Sequence, residues 1–225
     1  MRSHHFLQSV TTLGLATVLM LFTSCSDDEP TAEESFRFDI NDYNIDGGLI
    51  FDYGAVDYIN YENPTHYNYD FAVFDGSYDM SGDAFEGSFL MIAELLSPGT
   101  TAFQAGTFNY VFPDDVEEVF GEFYFNSAAF VVDGNNNNSI LETPSDETED
   151  IMYLATSGTI VASDNGNDNY TLDFNLSLSQ VDLRTEELIS GTEIDVNLSV
   201  SVDFEIIEVF AGGRQVNNKL RLNKR

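Results

Sequence analysis

Two stretches in the C-terminal third of the chain alternate apolar and polar residues without interruption. In the first, Tyr170, Leu172, Phe174, Leu176 and Leu178 alternate with Thr171, Asp173, Asn175, Ser177 and Ser179. In the second, Ile194, Val196, Leu198, Val200, Val202, Phe204 and Ile206 alternate with Asp195, Asn197, Ser199, Ser201, Asp203 and Glu205. A helix spreads such a pattern around its whole circumference, whereas a strand sorts it onto two faces. Each stretch therefore predicts a strand with one buried and one wet face, the pattern of an antiparallel sheet. Asn and Gly within 164–169 (DNGNDN) place a hairpin loop between the first run and the segment before it.

The same reading, less regular, extends upstream. Strands are predicted at 36–40, 49–53, 67–74, 84–95, 106–112, 120–132 and 151–163, separated by clusters of Gly, Asn and Asp. With the two alternating runs this makes about nine to eleven strands. No long amphipathic helix is predicted; 114–119 and 185–189 are each long enough for one turn. Hydrophobic residues are 43% of the chain and aromatics 13%, enough to build a core. The expected fold is all-β, a single antiparallel domain over 36–210 arranged as a β-sandwich or a closed barrel. Residues 133–150 interrupt the pattern as a long acidic loop. Residues 211–225 form a basic tail holding Arg214, Lys219, Arg221, Lys224 and Arg225.

Charge narrows the partners. With 39 acidic against 8 basic residues the chain carries −31, so phosphates are repelled and nucleic acid is excluded as a partner. An outer-membrane pore is disfavoured, since every strand would then need a lipid-facing apolar band.

The N-terminal 30 residues read as an address. An apolar stretch from residue 13 to 22 is too short for a membrane span and suits the apolar region of a signal peptide. It ends in Leu21-Phe22-Thr23-Ser24-Cys25 and turns abruptly acidic at Ser26-Asp27-Asp28-Glu29. This junction resembles a bacterial lipoprotein lipobox, with Thr23 and Ser24 fitting the pattern and Phe22 departing from it, the usual Leu falling one place early. The acidic run is similar to the surface-export signal of Bacteroidota lipoproteins. The resemblance implies a signal peptide over 1–24 and an acylated Cys25. It further implies a tether over 25–35 and lipid anchorage at the cell surface in the outer membrane. Cys25 is the only cysteine, so no intramolecular disulfide forms.

The inventory removes several chemistries. Removal of the signal leaves one histidine, His66, which rules out multi-histidine zinc sites. His66 enters a strand after a turn and is expected to be partly exposed. Both lysines lie in the tail, no Gly-Lys-Ser/Thr phosphate loop occurs, and no Gly-x-Ser-x-Gly elbow accompanies His66. Carboxylates remain, and among so many some pair with glycosidase spacing is expected by chance. Asp133, Asn135 and Asn137 have the alternate spacing of the first half of a calcium loop, with Glu142 as a further oxygen donor; Asn138 and Pro144 break the rest of the pattern. Seven of eleven tyrosines lie between residues 43 and 78. Tyr58, Tyr61, Tyr67 and Tyr69 are candidates for stacking on sugar rings, or for cross-strand aromatic pairing.

The expected protein is thus a non-enzymatic interaction or structural module, partnered with the membrane through its anchor and with a surface protein or polysaccharide. The alternative is a calcium- or glycan-binding accessory module. Less favoured are a carboxylate-dependent glycan hydrolase and a lipocalin-like carrier of an apolar ligand.

Overall fold

The computed structural model describes residues 42–45, 47–56, 63–79, 84–112, 121–134, 140–141 and 150–209. The strand predicted at 36–40, the turn at 114–119, most of the acidic loop and the basic tail lie outside these residues. Among the described residues the structure is all-β, with no α-helix and no helix long and apolar enough to cross a membrane.

The described residues form thirteen strands: β1 (Gly47–Val56), β2 (His66–Phe74), β3 (Ser77–Asp79), β4 (Ala84–Glu86), β5 (Phe89–Pro98), β6 (Gly106–Tyr110), β7 (Tyr124–Val132), β8 (Ile140–Leu141), β9 (Ile151–Gly166), β10 (Asn169–Asp182), β11 (Glu187–Leu188), β12 (Ile194–Asp203) and β13 (Glu205–Glu208). Ten of them make one sheet in the order β11-β10-β9-β6-β7-β5-β2-β1-β13, with β12 also paired to β10; β3, β4 and β8 make a small second sheet. The large sheet is mixed rather than purely antiparallel, because β1 pairs with β13 and β6 with β7 in parallel.

A closed barrel does not form. β12 runs antiparallel to β10 through Asp203, the chain breaks at Phe204, and β13 then runs parallel to β1. The uninterrupted alternation from 194 to 206 predicts one strand, yet the chain changes partner in its middle. Phe204 marks the change. Its N–H donates to the Asp168 carbonyl at 2.9 Å, and its ring is buried beside β1. Gly48 permits that approach, since a Cβ there would lie 2.7 Å from the Phe204 ring.

Other segments differ from expectation in smaller ways. The 84–95 strand divides at Gly87-Ser88, where the Asp75 carboxylate accepts from Ser88 N (2.8 Å), Ser88 Oγ (2.6 Å) and Phe89 N (2.6 Å). The six-residue hairpin loop shrinks to Asn167-Asp168, both at positive φ (57° and 60°) as a tight primed turn demands. The turn at 185–189 is not helical; Glu187–Leu188 pairs with β10 instead.

The core has two parts on opposite faces of the large sheet. One holds Phe71, Phe89, Phe108, Phe125, Phe130 and Phe174 with the inward faces of β10 and β12. The other holds Leu49, Phe74, Leu90, Ile92, Val131 and Leu154, and Phe85 of β4 closes over it, 5.0 Å from the Phe74 ring. Strands β2, β5 and β7 are consequently buried on both faces over much of their length, while β10 and β12 keep a wet face.

A candidate site of tyrosines and carboxylates

One end of the first core cluster is ringed by phenols and carboxylates brought in by four segments. Tyr67 and Tyr69 sit two apart at the start of β2, on the same face as Phe71. Asp52 reaches this end from β1, where an irregularity between Asp52 and Gly54 re-aims the strand. Its Oδ1 accepts from Gly54 N at 2.8 Å, and its Oδ2 accepts from the Tyr67 hydroxyl at 3.2 Å. The β9–β10 hairpin supplies Asp164, Asp168 and Tyr170. The loop before β6 supplies Phe103.

Aromatic packing holds these parts together. The Tyr69 ring stacks on Phe103 at 4.4 Å with planes 10° apart, and meets Tyr67 and Phe71 edge-on at 5.8 and 5.9 Å. Tyr170 meets Phe71 and Phe204 edge-on at 5.3 and 6.1 Å and is 9% exposed. Burial, reinforced by the charges of neighbouring carboxylates, pushes all three phenols up from the usual tyrosine range. Asp52 acts on Tyr67 and Tyr69, and Asp164 and Asp168 act on Tyr170. The hydroxyls therefore stay protonated at neutral pH and can donate as well as accept hydrogen bonds.

Of the candidate sugar-stacking residues, Tyr67 and Tyr69 are thus brought together, but one engages Asp52 and the other gives a ring face to Phe103. Tyr58 and Tyr61 lie outside the described residues. Of the calcium set, Asp133 follows β7 and its N–H donates to the Ser88 carbonyl at 3.0 Å. Asn135, Asn137 and Glu142 lie outside, as does Cys25. Asp133 and Tyr67 sit at opposite ends of β5, beside Ser88 and Ser97, so the two predicted sites are about 30 Å apart at strand rise. Among the described residues, no three His, Cys, Asp or Glu side chains converge on a metal position.

His66 is buried (3% exposed) rather than partly exposed. Its Nδ1 lies 2.8 Å from Thr65 Oγ1 and its Nε2 3.1 Å from the Glu122 carbonyl. Its ring meets Tyr124 edge-on at 4.9 Å. A carbonyl only accepts, so Nε2 carries the proton and Nδ1 accepts from Thr65. Both nitrogens serve the packing between β2 and the start of β7.

Sequence reasoning placed Tyr170 on a buried strand face, marked Asp164 and Asp168 only as weaker calcium candidates in the hairpin loop, and left Asp52 and Phe103 unmarked. Asp52-Tyr53-Gly54 carried the one usable signal, a glycine at the end of a strand pattern, which often marks a bulge. Compared with protein families, curated proteins and solved structures, the chain shows no match.

Proposed function

We propose that the chain is a lipid-anchored, non-enzymatic interaction module displayed at the outer-membrane surface. Acylated Cys25 and the acidic 25–35 tether carry the anchorage, and the β domain contacts a surface protein or polysaccharide. The observation that carries the interaction reading is the wet face of β10 and β12. Asp173, Asn175, Asp195, Asn197, Ser199 and Ser201 are exposed there on paired strands. Side-chain bonds cross the pair from Thr171 to Ser201 (3.1 Å), Ser177 to Asp195 (2.8 Å) and Asn169 to Asp203 (2.7 Å). A polar surface ordered before contact loses little side-chain entropy on binding.

The two hydrogen bonds of His66 support a structural role for that residue over a catalytic one. The interior, occupied by Phe71, Phe108, Phe125, Phe130 and Phe174, weighs against an apolar-ligand carrier. The small sheet closing over the second core cluster supports a sandwich-like layering of the two sheets.

The test is palmitate labelling in a Gram-negative host, followed by protease treatment of intact cells. Label on the wild type, its loss in Cys25→Ala, and release of the domain by protease are expected. An unlabelled protein, or one protected on intact cells, would sink the proposal. The alternative, a glycan- or calcium-binding accessory, draws support from the Tyr67–Tyr69 pair and from Asp133 at the edge of the acidic loop. A melting midpoint unmoved by millimolar calcium would dismiss its calcium part.

A further inference from the structure

We infer that Asn165 is a site of spontaneous self-modification. The Gly166 backbone nitrogen displaces its side-chain amide, the Asp164 carboxylate takes the proton, and water completes the conversion to aspartate and isoaspartate. The inference goes beyond the anchored-display reading and stands without it. Three observations carry it.

The first is the dipeptide. Asn-Gly occurs once in the chain, at 165–166. Attack on an Asn carboxamide by the nitrogen of the next residue closes a cyclic imide, and a glycine there has no Cβ to obstruct the approach.

The second is a proton acceptor already in place. An amide nitrogen is a poor nucleophile until its proton is drawn away. Gly166 N–H donates to Asp164 Oδ1 at 2.7 Å, within the reach a general base needs.

The third is access and freedom. Residues 164–168 are all exposed, so water reaches the reacting atoms. In the β9–β10 ladder Tyr170 pairs with Asp164 and Asn169 with Gly166, which leaves Asn165 as the extra residue of a bulge, outside the pairing that fixes its neighbours. Gly166 has open space around it. Asn175 and Asn197 are exposed too, but they pair with each other across β10 and β12, and each precedes a buried leucine, Leu176 and Leu198.

The steps balance without an oxidant or reductant. Gly166 N bonds to Asn165 Cγ as its proton passes to Asp164. The Cγ–Nδ2 bond breaks, and Nδ2 leaves as ammonia with that proton. Water then opens the imide, at the side-chain carbonyl to give aspartate or at the backbone carbonyl to give isoaspartate. The departing Nδ2 takes with it the bonds it donates to Asn169 Oδ1 (2.7 Å) and Thr171 Oγ1 (2.9 Å) across the hairpin. The product adds a negative charge beside Asp164 and Asp168, so the hairpin end of β10 changes as the molecule ages.

The test is incubation of the full folded chain at neutral pH in heavy-oxygen water, with the label located by peptide fragmentation in a mass spectrometer. Label is expected at Asn165 and not at Asn175 or Asn197, with isoaspartate among the products. Asp164→Asn keeps an acceptor for the Gly166 N–H but lacks the base, and should react about tenfold more slowly. Gly166→Ala, whose Cβ meets open space, should also slow the reaction about tenfold by crowding the attacking nitrogen. In denaturant the wild type and Asp164→Asn should react at one rate, because the 2.7 Å contact belongs to the fold. An unlabelled Asn165 in the folded chain, equal label at Asn175 and Asn197, or a folded Asp164→Asn chain that reacts as fast as the wild type would overturn the inference.

Discussion

His66 shows how a polar residue becomes part of a core when each of its atoms is given a partner. Its ring bridges the Thr65 hydroxyl and the Glu122 carbonyl, tying the start of β2 to the approach to β7. Truncation to Ala would remove both bonds, open a cavity against Tyr124 and take from the Glu122 carbonyl its ring N–H donor. We expect His66→Ala to lower unfolding stability by about 3 kcal/mol in urea titrations. A loss under about 1 kcal/mol would mean the ring is dispensable. The sequence showed His66 entering a strand after a turn, which is correct. Its burial was not legible, because the covering groups come from a segment 56 residues away.

At the scale of elements, legibility followed the number of buried faces. β10 and β12 bury one face each, so their period-two pattern stands clear in the sequence. β5 and β7 are buried on both faces, and a strand wet on neither side shows no alternation. Breaks within apolar runs were harder still. The Asp75 carboxylate that ends β4 and starts β5 lies 13 residues before Ser88 and carries no local mark.

The β9–β10 ladder offers an element-scale test. Gly158 has φ +119°, and a Cβ there would strike the Asn175 carbonyl oxygen and lie 2.8 Å from Leu176 Cα, both backbone atoms of β10. Gly166 has φ +82° but open space around it. Both lose conformational freedom on substitution, and Gly158 alone collides with its partner strand. Gly158→Ala should cost about 3 kcal/mol and Gly166→Ala about 1 kcal/mol, measured as separate shifts in urea midpoint. Equal costs would show that the ladder yields at Gly158.

Across the whole molecule, tyrosines mark the edges of the first core cluster. Burial raises Tyr43 to about 12, with Asp42, Asp75 and Tyr153 adding to it, and it also raises Tyr67, Tyr69, Tyr110, Tyr153 and Tyr170. An unfolded chain releases these protons near pH 10, while the folded one holds them. Stability from this source is therefore complete below about pH 10 and declines as pH climbs toward 12. Phenolate absorbance should lag behind that of free tyrosine and rise together with loss of the fold. Ionisation near pH 10 with the fold intact would contradict this account.

The chain's all-β character and the inward faces of β10 and β12 followed from the sequence alone. Each rests on local periodicity, which needs no knowledge of neighbours. Only the tertiary structure decided that the sheet is mixed, that it stops short of a barrel, and that Phe204 hands the chain from β10 to β1. It alone brought Asp52, Tyr69, Phe103, Asp168 and Tyr170 to one end of the core. Strand order and parallel pairing depend on contacts between segments up to about 150 residues apart, as between Leu49 and Glu205. Nothing in either segment's own pattern names its partner.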